Sequence, residues 1–250
     1  MLRPRVIPVL LLSDSGLVKT RRFKKHRYIG DPINALRIFN DKGVDEIVIL
    51  DIEATINRRG PDLARIRDLA SECFMPLAYG GGIRSIADVE QLFSAGVEKV
   101  ILGTTAAERP CFVRDASRLF GAQSVAACLD IRRNWRGKPI VYTRGATKDT
   151  GRDALDLALQ LQELGAGEII LQSIDRDGTG RGYDLALVHD VIAKLTIPVI
   201  ACGGAGSIDD LKSAISVGAA AGAGSFFVFY GKHHAVLIRY LEDDEIMNLR

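Results

Sequence analysis

Asp130 closes the apolar run Val125-Ala126-Ala127-Cys128-Leu129. A carboxylate in that place needs partners once water is removed, so it points to proton chemistry at a strand end. Asp51, Asp175 and Asp177 end apolar runs in the same manner, although Asp177, which precedes Gly178, also suits a loop-capping turn. The second chemical signal is a repeated phosphate cradle. Pro76-Leu77-Ala78-Tyr79-Gly80-Gly81-Gly82-Ile83-Arg84-Ser85-Ile86 matches Pro198–Ile208 at an offset of 122, and the same offset pairs Glu46–Leu50 with Glu168–Gln172. Each copy ends in a glycine pair, Gly81-Gly82 or Gly203-Gly204, just ahead of a helix candidate. Bare amides at a helix start bind phosphate. One pair alone would only permit a tight turn; two at matched positions imply a two-phosphate ligand. Gly103-Thr104 and Gly224-Ser225 follow neighbouring strands and add donors. At an offset of 119, Val6–Leu11 overlies Val125–Asp130, and the first copy ends in Leu11 where the second ends in Asp130.

The elements that position these residues alternate from end to end. Strands are expected at Val6–Leu12, Ile47–Ile52, Pro76–Tyr79, Val100–Gly103, Val125–Asp130, Ile169–Ile174, Pro198–Cys202 and Ala220–Ser225. Their apolar runs are continuous, as in strands buried on both faces. Helices are expected at Asp31–Lys42, Pro61–Cys73, Ser85–Ala95, Arg109–Phe120, Arg152–Leu164, Asp184–Leu195, Ser207–Val217 and Lys232–Leu241, several closed by glycine caps such as Gly43, Gly96 and Gly165. Eight strand–helix units fit an α/β fold of the (β/α)8 TIM-barrel type with a two-fold internal half-barrel repeat. The expected organisation is one domain over 1–250, with half-barrels of roughly 1–120 and 121–250. An open doubly wound sheet competes, but it needs a strand-order reversal that symmetric halves disfavour. The longest loops, Ser13–Gly30 and Arg132–Thr150, leave strand C-termini, the working face of barrel enzymes. At the other end, Arg5, Glu46, Lys99 and Glu168 stand at strand starts. Their alternating signs suit a ring that plugs or gates the barrel floor; the plainer reading is surface ion pairs of little energy.

The chain of 250 residues is 47% hydrophobic and 26% charged, with a net charge of +2. That balance is ordinary for a soluble globular protein and does not call for nucleic acid. The cluster Arg21, Arg22, Lys24, Lys25, His26 and Arg27 reads as a solvated loop or an anion patch. Cys73, Cys111, Cys128 and Cys202 show no CxxC spacing and are expected to be buried free thiols in a reducing compartment. The N-terminal apolar run is too short for a membrane span, so a cytoplasmic location without membrane contact is expected. No cofactor motif is visible. His26, His189, His233 and His234 lack ligand spacing, and His233-His234 are expected to decorate the last helix.

Taken together, Arg5-Val6-Ile7-Pro8, Gly30-Asp31-Pro32, Leu50-Asp51-Ile52, Tyr79–Arg84, Ser173–Thr179 and Ile200–Gly206 closely resemble HisF, the synthase (cyclase) subunit of imidazole glycerol phosphate synthase. The resemblance covers essentially the whole chain. It implies a lyase/cyclase subunit whose floor docks a HisH-like glutaminase as a heterodimer and admits ammonia. It also implies a mouth that binds a phosphorylated ligand. Arg5, Glu46, Lys99 and Glu168 match the family's gate; Lys19, Asp51 and Gln123 fall on family positions, and Glu98 on an acidic interface position. The family uses two aspartates across the mouth as general acid and base. Asp130 matches one, and Leu11 occupies the other. Glu53, Gly103 and Gln172 depart from the family's threonine, asparagine and threonine. Asp14, on the loop beyond the strand, is badly placed to stand in for the lost aspartate. The kept floor and altered mouth look like the HisF-type paralogue of bacterial surface-polysaccharide clusters, which is thought to supply ammonia to a nucleotide-sugar amidotransferase. Two other readings stand beside it: a working cyclase of histidine biosynthesis, and a non-catalytic allosteric scaffold for the glutaminase.

Overall fold

The computed structural model describes residues 3–249. In chain order, β1 (Val6–Ser13) runs into a hairpin of β2 (Gly16–Arg21) and β3 (Lys24–Gly30), then α1 (Pro32–Asp41) and β4 (Ile47–Asp51). Next come α2 (Leu63–Ser71), β5 (Leu77–Gly80), α3 (Ile86–Ser94), β6 (Lys99–Leu102), α4 (Thr104–Glu108) and α5 (Cys111–Phe120). After a 3-10 turn, Ala122–Ser124, follow β7 (Val125–Arg133), the antiparallel strands β8 (Pro139–Thr143) and β9 (Lys148–Asp153), α6 (Ala154–Glu163) and β10 (Glu168–Ser173). The chain continues through α7 (Leu185–Ile192), β11 (Val199–Cys202), α8 (Ile208–Ser216), β12 (Ala220–Ala223) and α9 (Ser225–Val228). It finishes with a two-stranded ribbon, β13 (Phe229–Tyr230) and β14 (Ala235–Val236), and α10 (Asp243–Met247).

Eight strands pair in the order β10-β11-β12-β1-β4-β5-β6-β7, all parallel, and β7 pairs β10 to close the ring. This is the expected (β/α)8 barrel. Alternation along each strand divides the apolar residues into two layers. Ile7, Val9, Val48, Ile101, Ile170 and Ile200 fill the bore. Val6, Leu10, Leu12, Ile49, Val100 and Leu171 pack outward under the helices. Because both faces are buried, the strands read as unbroken apolar runs. In ring order β1 and β7 are four strands apart in either direction, so Leu11 and Asp130 lie on opposite walls.

Three expectations need correction. Both long loops are hairpins: β1 and β7 run past the barrel rim and pair back on themselves, Leu11 with Val18 and Asp130 with Tyr142. Lys232–Leu241 is not a helix. Gly231 (φ 67°) and His234 (φ 50°) turn the chain in the left-handed region, and Leu237 and Arg239 donate backbone N–H bonds to the Val228 and Phe227 carbonyls. The segment is therefore a strap, fastened by the Tyr240 hydroxyl, which donates to the Val6 carbonyl (2.8 Å); His233 and His234 sit in its turn. All four cysteines are free, but only Cys128 and Cys202 are buried; Cys111 is exposed and Cys73 half-buried.

Candidate functional site

The C-terminal ends of the barrel strands surround a cavity of about 190 Å³. Val9, Leu11, Leu50, Ile101, Cys128 and Cys202 form its apolar base, and Asp130, Gln172, Lys19 and Asp177 supply its polar groups. Asp130 points inward from β7 as the next residue on the face of Ala126 and Cys128. Burial, then the nearby Asp177 charge, pushes its carboxyl up to about 7. An acid poised there exchanges protons readily at neutral pH. Across the bore stands Leu11, which exchanges none. Asp14 does not replace it: its carboxylate is held outside by Arg59 (2.8 Å) and does not line the cavity.

The β2–β3 hairpin lies over one side of the mouth and brings Lys19 in with it. The Lys19 ammonium is buried and donates to the Val9 carbonyl (2.6 Å). Burial lowers its pKa to about 8, against the opposing pull of the Asp177 charge. Asp177 pins the hairpin by accepting from the Thr20 hydroxyl (2.7 Å) and the Phe23 amide (3.2 Å). Burial raises the Asp177 pKa, and those two donors counter it. Gly178 is required here, because a Cβ would collide with the Thr20 carbonyl. The basic cluster is thus the exposed face of a hairpin, with only His26 of its six residues reaching the cavity wall.

Asp51 also lines the cavity but is spent on structure. It accepts from Arg59 at 2.7 and 3.1 Å and from the amides of Glu53 and Ala54 at 3.1 and 2.9 Å. Glu53 in turn accepts from the Asp14 amide (2.8 Å), tying the β4 loop to the β1–β2 turn. Asp175 is not brought to the cavity. It faces outward, near Arg132 (3.6 Å) and under the Arg133 amide (3.3 Å).

Both glycine corners face the mouth, with Gly81, Gly82, Gly203 and Gly204 at φ of 123°, 72°, 85° and 120°. The helices that follow them are less open to an anion than the sequence suggested. Asp88 accepts from the Arg84 and Ser85 amides (2.8 Å each), and Asp210 from the Gly206 and Ser207 amides (2.9 Å each), in capping boxes on α3 and α8. The short helices α4 and α9, which begin at Thr104 and Ser225, carry no side-chain cap. Gly103, Thr104, Gly224 and Ser225 line the cavity with them.

At the floor, Arg5 donates to Glu46 at 2.8 and 2.9 Å and to Glu168 at 2.5 Å, while Lys99 donates to Glu168 at 2.8 Å. The four predicted charges therefore form one continuous chain of ion pairs across the bore. Burial opposes the charge on Glu168, but the Arg5 hydrogen bond and the Lys99 charge outweigh it and hold the Glu168 carboxyl below its ordinary range. Glu98, immediately before Lys99, and Gln123, in the turn before β7, are exposed at the same end. So are two residues that the sequence reading missed, Phe74 before β5 (84% exposed) and Leu119 near the end of α5 (64% exposed). A large apolar side chain in a polar context such as Ser71-Glu72-Cys73-Phe74 was the available signal. Arg59 was also missed, since nothing in sequence links it to Asp51 and Asp14.

With this geometry in hand, likeness to known proteins becomes informative. The sequence model of the family described as "Histidine biosynthesis protein" matches residues 5–234. A Pseudomonas aeruginosa protein named "Putative imidazole glycerol phosphate synthase subunit hisF2" is 50% identical over 245 residues, 96% of each chain. A Vibrio vulnificus protein named "Putative imidazole glycerol phosphate synthase subunit hisF3" is 44% identical over 250 residues, 98% of this chain and 95% of the other. "Imidazole glycerol phosphate synthase subunit HisF" of Metallosphaera sedula is 44% identical over 243 residues, 96% of this chain and 94% of the other.

Proposed function

This chain belongs to the histidine biosynthesis protein family as a HisF-type barrel, and from that premise we propose that it is the ammonia-accepting subunit of a glutamine amidotransferase complex with impaired cyclase chemistry. The observation that carries this reading is the contrast between a fully paired charge ring at the floor and a mouth where Asp130 faces Leu11. A HisH-like glutaminase would seat on the floor beside Glu98, Gln123 and the exposed Phe74 and Leu119. Ammonia would pass the ring of Arg5, Glu46, Lys99 and Glu168 and rise through the apolar bore. A phosphorylated ligand at the mouth, near Lys19, Gly81, Gly82, Gly203 and Gly204, would report occupancy or react slowly. The nitrogen would then go on to a nucleotide-sugar amidotransferase of surface-polysaccharide synthesis.

Loss of one of two proton-transfer groups removes about 10²–10⁴-fold in rate. Leu11→Asp is therefore expected to raise ammonium-dependent cyclase turnover about 10²-fold. Wild-type turnover equal to that of an aspartate-bearing relative would refute the impairment. Charge reversal of Lys99 should lower glutamine-dependent nitrogen delivery far more than ammonium-dependent delivery, and equal losses would remove the gate. One feature favours a working cyclase as the second reading: Asp130 lies in the cavity wall, where burial pushes its carboxyl up to about 7. A third reading, the allosteric scaffold, predicts glutaminase stimulation with no nitrogen reaching any acceptor. Among the described residues no helix is long and apolar enough to cross a membrane.

A further inference from the structure

The two glycine corners look interchangeable in sequence, but the side chains around them differ. Gln172 lies on β10 with its side chain in the cavity wall and is 8% exposed. Its side-chain amide has no hydrogen-bond partner among the described residues and is open to the cavity rather than sealed within the protein. The amide end lies against the second corner, since a Cβ on Gly203 would stand 3.0 Å from its Nε2. Lys19 reaches the same corner from the β2–β3 hairpin, and a Cβ on Gly224 would run into its Nζ. An amide open to the cavity on a largely buried side chain and a buried ammonium thus converge beside Gly203 and Gly224. Donors aimed into a cavity in this way are free for a ligand that displaces water.

At the first corner, the position matching Gln172 is Leu50 on β4. Among the described residues no ammonium reaches Gly103, whose added Cβ would meet only the Cys128 carbonyl, at 3.7 Å. Two of the guanidiniums near it are held by carboxylates. Arg59 is bound by Asp51 and Asp14, and Arg144 donates twice to Glu108 at 3.0 Å. The Thr104 hydroxyl accepts from the Arg144 amide (3.0 Å).

We propose that the mouth takes a ligand carrying a single phosphate, held at the second corner with Gln172 and Lys19 as its side-chain donors, while the first corner receives an uncharged part of the same molecule. This departs from the two-phosphate ligand that the repeated glycines imply, and Gln172 becomes a determinant of ligand choice. The inference rests on the reading of the mouth as a ligand site, but not on the delivery of ammonia.

Calorimetric titration of the full chain tests it with inorganic phosphate, glycerol 3-phosphate and ribulose 1,5-bisphosphate as probes. One phosphate per chain is expected. A hydrogen bond to a charged group corresponds to about a tenfold change in affinity, so Gln172→Leu should weaken phosphate by about that factor and Lys19→Met by more. The bisphosphate should bind within about threefold of the monophosphate, a ratio that needs no variant to fold. Two phosphates per chain, a bisphosphate preference above about thirtyfold, or an unchanged affinity in a folded Gln172→Leu chain would each overturn the proposal. No phosphate binding at all would also overturn it, yet would leave the ammonia reading intact, because glutamine-driven nitrogen delivery is measured separately.

Discussion

The two ends of this barrel bury charge under the same dielectric penalty and resolve it in opposite ways. At the floor, burial is the largest influence on Arg5 and Glu168, but hydrogen-bonded partners of opposite sign overturn it, so both groups favour their charged forms. At the mouth, burial is again the largest influence on Asp130, Asp177 and Lys19; Lys19 and Asp177 pull on each other against it, but among the described residues they form no direct ion pair and burial wins. All three shift toward their neutral forms. Paired charges make a fixed plug or gate; desolvated ones without a direct partner, Asp130 and Lys19 above all, are moved toward the range in which groups give and take protons. The difference between structure and chemistry is here a difference in pairing.

The largest expected effect would break the floor. Glu168→Leu leaves Arg5 and Lys99 facing each other without their shared carboxylate, and should destabilise the fold by about 3–5 kcal/mol in urea unfolding. A loss under about 1 kcal/mol would reduce the ring to ordinary surface pairs. A second test uses pH, where the two ends should respond with opposite signs. Asp130 holds its proton more tightly when folded, so its contribution is present below about pH 4 and is lost as pH rises through about 7. Glu168 holds its proton less tightly when folded, so its contribution is lost on acidification instead. Asp130→Asn should therefore gain stability over wild type between pH 4 and pH 8, by at most about 4 kcal/mol. A pH-independent difference would show that Asp130 titrates normally. The smallest effect concerns the neutral partners that the mouth uses in place of charges. Thr20→Val removes the hydroxyl from Asp177 and should cost about 1 kcal/mol, with faster hydrogen exchange in the β2–β3 hairpin. Unchanged exchange would mean that the hairpin is held elsewhere.

The barrel was legible because strands buried on both faces must be continuously apolar, and eight such runs leave few topologies. The hairpins were not legible. β3 is exposed along most of its length and is held by pairing with β2 and by the carboxylate of Asp177, neither of which leaves an apolar pattern. Lys232–Leu241 carried a helical rhythm, but Gly231 and His234 turn the backbone the other way. Asp130 stood out because a charge ends an apolar run, and the floor ring because four charges open equivalent strands. The fate of Asp51 was hidden, since its partner Arg59 is eight residues away in an irregular loop. The capping boxes at Ser85 and Ser207 carried a readable signal, Ser-x-x-Asp, yet the glycines beside them drew the reading toward phosphate. The family likeness placed Lys19 on a known position, but only the folded hairpin shows it buried against Gly224.

The apolar bore has a consequence for whatever receives the nitrogen. An ammonium ion cannot shed its hydration among Ile7, Val48, Ile101 and Ile170 without a penalty of many kcal/mol. On the proposed route the cargo therefore travels as the uncharged base, leaving a hydrogen ion behind in the antechamber beneath. It emerges with its lone pair already bare, so the downstream acceptor enzyme would need no base to free the nucleophile before attack, only one to take the proton that the nitrogen sheds once its new bond has formed.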